Sequence, residues 1–182
     1  MSFITNIDMA ITEYMATTMR SPFMDVAMSL ITLLGEIGIF WIIIAIVMLC
    51  LKSTRKNGFI VGMALILCLV FCNILLKNIV ARPRPDMAFW SDAIIFRPGG
   101  FSFPSGHTTS SFAAAGALFY WNKKVGAAAI VTAALIGFSR IYLGVHYFSD
   151  VVSGAVLGLI LSVVAVVIVE RLFKTTKQAK DN

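Results

Sequence analysis

VVSGAVLGLILSVVAVVIV, residues 151–169, contains no charged side chain. A helix that crosses a hydrocarbon core needs about 20 predominantly apolar residues, so this stretch reads as a membrane span. GFIVGMALILCLVFCNILL, residues 58–76, is likewise uncharged and reads the same way. Working outward from these two, apolar runs at 23–51, 105–121 and 125–143 are long enough, or nearly so, to cross as well. The full second and fifth runs extend over 58–80 and 148–170. The chain is 59% hydrophobic, against about 45–50% for soluble domains, and its mean hydropathy is +0.89.

The fold class expected is therefore all-α: a polytopic membrane helix bundle of about five transmembrane helices. Residues 1–21 add a further element. Ile4, Ile7, Ile11, Tyr14 and Met15 recur at helical spacing, with Asn6, Asp8, Thr12 and Glu13 between them, which predicts an amphipathic helix lying in the interface. The first 21 residues lack a basic segment followed by an apolar one, so no cleaved signal peptide is expected. The run at 23–51 carries Asp25, Gly35, Glu36 and Gly38 and is read as one long tilted helix; a break near Gly35 would make six spans. The chain is read as one domain, 1–182, with the catalytic motifs in 77–150 and a basic tail over 171–182.

The net charge of +6 does not imply nucleic acid, because the basic residues sit mainly in short loops and in the tail. Cys50, Cys68 and Cys72 lie inside apolar runs without the spacing of a metal or redox site, and are read as packing residues. Gly58-x-x-x-Gly62 and Gly154-x-x-x-Gly158 would allow close helix approach, although glycine is common in such helices in any case. The hydrophobic signal stops between 81 and 104, where Pro83, Pro85, Pro98, Gly99, Gly100 and Pro104 predict an extramembrane loop.

Ionisable residues next to the spans fall in three clusters: KNIVARPRP at 77–85, PSGH at 104–107 and SRIYLGVHYFSD at 139–150. Each has a plain reading alone. Lys77 would snorkel, Arg82 and Arg84 would lie in a surface loop, and Ser105 would cap a helix. Alternating topology, however, places all three clusters on the same face of the membrane. Such a gathering suits phosphoryl transfer, whose transition state is stabilised by positioned cations and hydrogen-bond donors. Lys77, Arg84 and Arg140 supply positive charge, while Ser105 and the Gly106 N–H sit where a helix begins and favour an anion. His146 and Asp150 are four residues apart, so the carboxylate can accept a hydrogen bond from Nδ1–H, fix the tautomer and leave Nε2 to attack phosphorus. His107 remains free to protonate the leaving-group oxygen.

The three clusters resemble the motifs of the type 2 phosphatidic acid phosphatase family. Lys, six residues and Arg-Pro fit Lys77 to Arg84-Pro85; Pro-Ser-Gly-His fits Pro104 to His107; Ser-Arg, five residues, His, three residues and Asp fit Ser139-Arg140, His146 and Asp150. The resemblance implies an all-helical bundle that hydrolyses a lipid phosphate or diphosphate through a phosphohistidine, without metal or cofactor. His146 would be the nucleophile, Asp150 its partner and His107 the general acid; Lys77, Arg84, Ser105, Gly106 and Arg140 would bind phosphate. Arg82 and Arg97 lie outside the matched positions and rank only as headgroup contacts. Undecaprenyl diphosphate is the expected substrate, with phosphatidylglycerophosphate and phosphatidic acid as alternatives. A small transporter is the competing class, but one would show paired halves with discontinuous helices at the midplane. By the positive-inside rule, the basic loops and tail put the carboxyl terminus in the cytoplasm and the active site on the outer face of the cell membrane.

Overall fold

The computed structural model describes residues 3–85 and 99–181, and every regular element among them is helical. Arg97 and the 86–98 part of the expected loop lie outside the described residues. The helices are α1 (Phe3–Thr17), α2 (Pro22–Leu34), α3 (Ile39–Cys50), α4 (Arg55–Cys68), α5 (Lys77–Val80), α6 (Gly106–Trp121), α7 (Lys123–Tyr142) and α8 (Phe148–Asp181). A π-helical stretch, Leu69–Leu76, joins α4 to α5, so that 55–80 is one continuous span.

Among the described residues, four helical segments are long and apolar enough to cross a membrane: Pro22–Cys50, Arg55–Val80, Lys123–Tyr142 and Phe148–Thr175. The fifth expected span, 105–121, forms α6. Its 16 residues make about 24 Å of helix, short of a hydrocarbon core of about 30 Å. It nevertheless runs from the end that carries His107 to the end where Tyr120 meets Glu170, at the centre of the bundle, packed on α4, α7 and α8. Its Ala113, Ala114, Ala115 and Ala117 are buried, as expected where small side chains let helix backbones come close.

Two sequence expectations need correction. The run at 22–51 is not one uninterrupted helix: a single 3₁₀ turn, Glu36–Gly38, separates α2 from α3, with φ of 49° at Ile37 and 71° at Gly38. α2 packs on α7 while α3 packs on α4, and at 13 and 12 residues each piece is about 20 Å or less, too short to cross alone. The break therefore lies within one span. α1 forms where expected, but its polar stripe does not face water. Asp8 and Thr12 are the buried positions, whereas Ile4, Ile7 and Tyr14 point outward.

α8 crosses α6 at its glycines. A Cβ on Gly158 would stand 2.4 Å from the Thr109 carbonyl oxygen, and one on Gly154 would stand 2.9 Å from that of Ser105. The other glycine pair divides: Gly58 packs on the Leu49 backbone, while Gly62 has nothing within 4 Å of a Cβ. At the far end of the bundle Glu170 of α8 pairs with Lys56 at 2.6 Å and accepts from Tyr120 at 3.0 Å. The basic loops thus gather at the end opposite His146.

Gly158→Ala should force α6 and α8 apart. Overpacking of this kind costs about 1–3 kcal/mol, so the apparent melting temperature in detergent should fall by several degrees, while Gly62→Ala leaves it unchanged. Equal melting of both variants would show that the crossing is not close-packed.

Candidate active site

Four chain segments meet at one end of the bundle. The α5 segment delivers Lys77, the extended chain after it delivers Arg82 and Arg84, the start of α6 delivers Ser105, Gly106 and His107, and the α7–α8 corner delivers Arg140 from the end of α7, His146 from the turn and Asp150 from the start of α8. Backbone hydrogen bonds fasten them together: Ser105 N–H donates to the Asp150 carbonyl at 3.1 Å and Ser102 N–H to the Arg82 carbonyl at 2.8 Å. All eight residues singled out from the sequence lie in this region.

The α6 N-terminus is built for close approach. A Cβ at Gly106 would lie 2.9 Å from Asn73 Oδ1 and 3.5 Å from Lys77 Nζ, so glycine lets both groups sit over the exposed helix N–H donors. The π-helical stretch before Lys77 widens the helix at this level, a distortion that is frequent at functional sites. Ser105 occupies the N-cap position but makes no side-chain capping bond. Instead its buried Oγ accepts from Thr108 Oγ1 at 2.9 Å, which leaves its own proton to donate.

His146 is 2% exposed. Arg84 Nη1 lies 3.2 Å from its Nε2. A guanidinium only donates, so this contact requires a lone pair on Nε2 and puts the proton on Nδ1. Nδ1 in turn faces Ser102 Oγ at 3.4 Å and Asp150 Oδ2 at 3.5 Å. The expected direct His146–Asp150 bond is therefore long, and the Ser102 hydroxyl stands between the two, donating to Asp150 through a short bond. Asp150 also accepts from Tyr147 N–H at 2.9 Å and from Arg82 Nη1 at 2.7 Å. Burial drives the His146 pKa down to about 4, with Arg84 and Arg140 acting in the same direction and Asp150 against them. The imidazole is thus neutral at physiological pH, with its lone pair on Nε2 toward Arg84.

Arg82 is engaged within the protein. Its Nη2 pairs with Asp8 of α1 at 2.6 Å, its Nη1 reaches Ser149 at 2.8 Å as well as Asp150, and its guanidinium lies 4.0 Å from the Tyr147 ring centroid. Asp8 also accepts from Ser149 N–H and Oγ, at 2.9 and 2.6 Å. Arg84 is held by the carbonyls of Gly99, Gly100 and Val145. Arg140 is 2% exposed and donates to Thr32 Oγ1 at 2.5 Å. Its buried Nε has no hydrogen-bond partner among the described residues, and a buried donor of this kind costs free energy unless a ligand accepts from it.

His107 Nε2 meets Glu36 Oε2 at 3.2 Å, across the break in the first span. From there a cavity of about 650 Å³ runs between α3 and α4. Lys77, Gly106, His107, Asn73 and Glu36 line its polar end; Ile42, Ile46, Leu49, Leu65 and Ile66 line the rest, with Gly62 leaving room in the wall. Sequence reasoning missed Asp8, Glu36, Asn73 and Ser102 as members of this region. Glu36 carried a signal, being an isolated carboxylate inside an apolar run. Ser102 carried none.

Comparison with known proteins identifies the family. Residues 57–174 match the PAP2 superfamily. The chain is 33% identical to the undecaprenyl-diphosphatase BcrC of Bacillus subtilis over 76% of its own length and 71% of the relative's. It is also 33% identical to phosphatidylglycerophosphatase B of Bacillus subtilis, over 80% and 75% of the two chains. The crystal structure of a transmembrane PAP2 type phosphatidylglycerolphosphate phosphatase from Bacillus subtilis superposes with a TM-score of 0.75 at 29% identity, covering 94% of this chain and 88% of that one. The chain belongs to the PAP2 superfamily and is a multi-pass membrane lipid phosphatase.

Proposed function

We propose that this phosphatase hydrolyses undecaprenyl diphosphate to the monophosphate through a phosphohistidine at His146. The observation that carries the reading is the apolar groove between α3 and α4, which ends on Lys77, the α6 N-terminus and His107. A headgroup held there lays its chain along the groove, within the bilayer. The groove is a single cleft, which suits one polyprenyl chain better than two acyl chains. The resemblance to an undecaprenyl-diphosphatase supports the same substrate. The second reading, phosphatidylglycerophosphate, is supported by the likeness to phosphatidylglycerophosphatases.

In this mechanism Lys77, Arg84, Arg140, Ser105 and the Gly106 N–H hold the terminal phosphoryl oxygens, and the unpaired Arg140 Nε–H takes one of them. His146 Nε2 attacks phosphorus as the bond to the leaving oxygen breaks, and His107 gives that oxygen a proton. Ser102 and Asp150 hold Nδ1–H and stabilise the positive charge that develops on the ring. Water then attacks the phosphohistidine and its proton passes to His107, releasing phosphate and restoring both histidines. The cationic cradle supplies the charge stabilisation that a metal provides elsewhere.

Sidedness follows from charge. Lys52, Arg55 and Lys56, then Lys123 and Lys124, then Arg171, Lys174, Lys177 and Lys180 all fall on one side of the proposed topology, which the positive-inside rule makes the cytoplasm. His146 then faces outward.

The direct test of substrate is a turnover panel of undecaprenyl diphosphate, phosphatidylglycerophosphate and phosphatidic acid, in which the first should give the highest kcat/KM. Gly62→Leu should narrow the groove. Excluding two methylenes, at about 0.8 kcal/mol each, raises KM about tenfold for a long-chain substrate; a short-chain analogue should be unaffected, and an equal effect on both would place the lipid elsewhere. His107→Asn leaves one histidine in the chain, so its imidazole NMR signal reports His146 alone. The folded pKa lies below the ordinary 6.5, so the ring should stay neutral from pH 8 down to about 5 and its stability contribution should fall as pH drops below about 6.5. A midpoint near 6.5 would contradict the buried setting. In intact cells, after replacement of the native cysteines, an impermeant thiol reagent should label a cysteine at Ser91 and not one at Gln178; the reverse would invert the topology.

A further inference from the structure

We infer that Glu36 holds the proton that His107 delivers, acting as a positioning residue for the general acid. The inference rests on the reading of His107 as that acid. Burial first, and then Arg140, His146, Lys77 and Arg84, oppose a charge on the His107 ring and push its pKa down to about 3, so the ring charges only when an anionic phosphate joins it. The Glu36 carboxylate, 3.2 Å from Nε2, is the anion placed to accept the Nε2–H.

The local backbone is shaped for this contact. Gly35 lies so close to the histidine that a Cβ would fall 2.8 Å from His107 Cδ2. Ile37, the next residue after Glu36, has a φ of 49°, a conformation that is strained for a β-branched residue and clusters at functional sites. The break in the first span therefore places one carboxylate at the polar end of the groove. Glu36 is 53% exposed at its side chain and is free to move. Glu36 and His107 both line the cavity, so an arriving anionic headgroup competes with the carboxylate for the Nε2–H. The Nε2–H then turns from the carboxylate to the leaving oxygen.

The consequence is selective for leaving group. An alkyl phosphate expels a strongly basic oxygen and needs the proton; p-nitrophenyl phosphate expels a weakly basic one and needs it much less. With purified protein in detergent, Glu36→Gln should lower the ratio of kcat/KM for dioctanoyl phosphatidic acid over p-nitrophenyl phosphate about tenfold, and His107→Asn should lower it further. Glu36→Asp, which keeps the charge, should recover much of the ratio. Equal losses on both substrates in Glu36→Gln, an unchanged ratio, or a general gain in activity would each overturn the inference. If His107→Asn itself loses both activities equally, the general-acid reading has failed; if it is selective and Glu36→Gln is not, only the role of Glu36 has failed.

Discussion

A carboxylate with no exposed surface must be surrounded by donors, and Asp150 meets that requirement by tying together the parts of this site. Ser102, Tyr147 N–H and Arg82 all donate to it, and its own backbone carbonyl receives Ser105 N–H. Arg82 then carries the network outward to Asp8, which fastens α1 to the start of α8. Removing one member of a buried charge network leaves another uncompensated, at about 3–5 kcal/mol. The chain following α5, the loop before α6, the start of α8 and the amino-terminal helix are thereby locked to one arrangement. His146, one helical turn before Asp150, inherits its place from that lock.

Around this point the protein combines two solvents. The helices present branched aliphatic side chains outward and bury alanine, glycine and hydroxyl groups between them, the pattern expected when lipid surrounds the bundle. The polar site lies at one end, while the apolar groove leads away from it along α3 and α4. A lipid phosphate has the same division, with a charged head and an apolar tail. In the proposed function, the match between them would let binding energy from the tail fix the position of the reacting phosphorus.

Much of this was legible in the sequence because its determinants are local. Uncharged runs gave the spans at 58–76 and 151–169, and motif spacing picked out Lys77, Arg84, His107, Arg140, His146 and Asp150. The remainder depends on tertiary pairing. The polar stripe of α1 looked like a water-facing surface, since periodicity reports that two faces differ but not which one meets the protein. Arg82 looked dispensable beside Arg84, yet its partners lie 74 and 68 residues away in sequence. Ser102 sits in an irregular segment where no period exists to read. The break at Glu36–Gly38 was marked by two glycines and a charge, but the surrounding hydrophobicity favoured an unbroken helix.

The most direct test of the account is the fate of the phosphoryl group. Protein quenched in alkali during turnover of a phosphorus-labelled lipid phosphate, then digested and mapped by mass spectrometry, should carry the label on the peptide containing His146, with none in His146→Ala. Label on His107, or steady turnover by wild-type protein with no labelled residue after rapid quenching, would contradict His146 as the nucleophile.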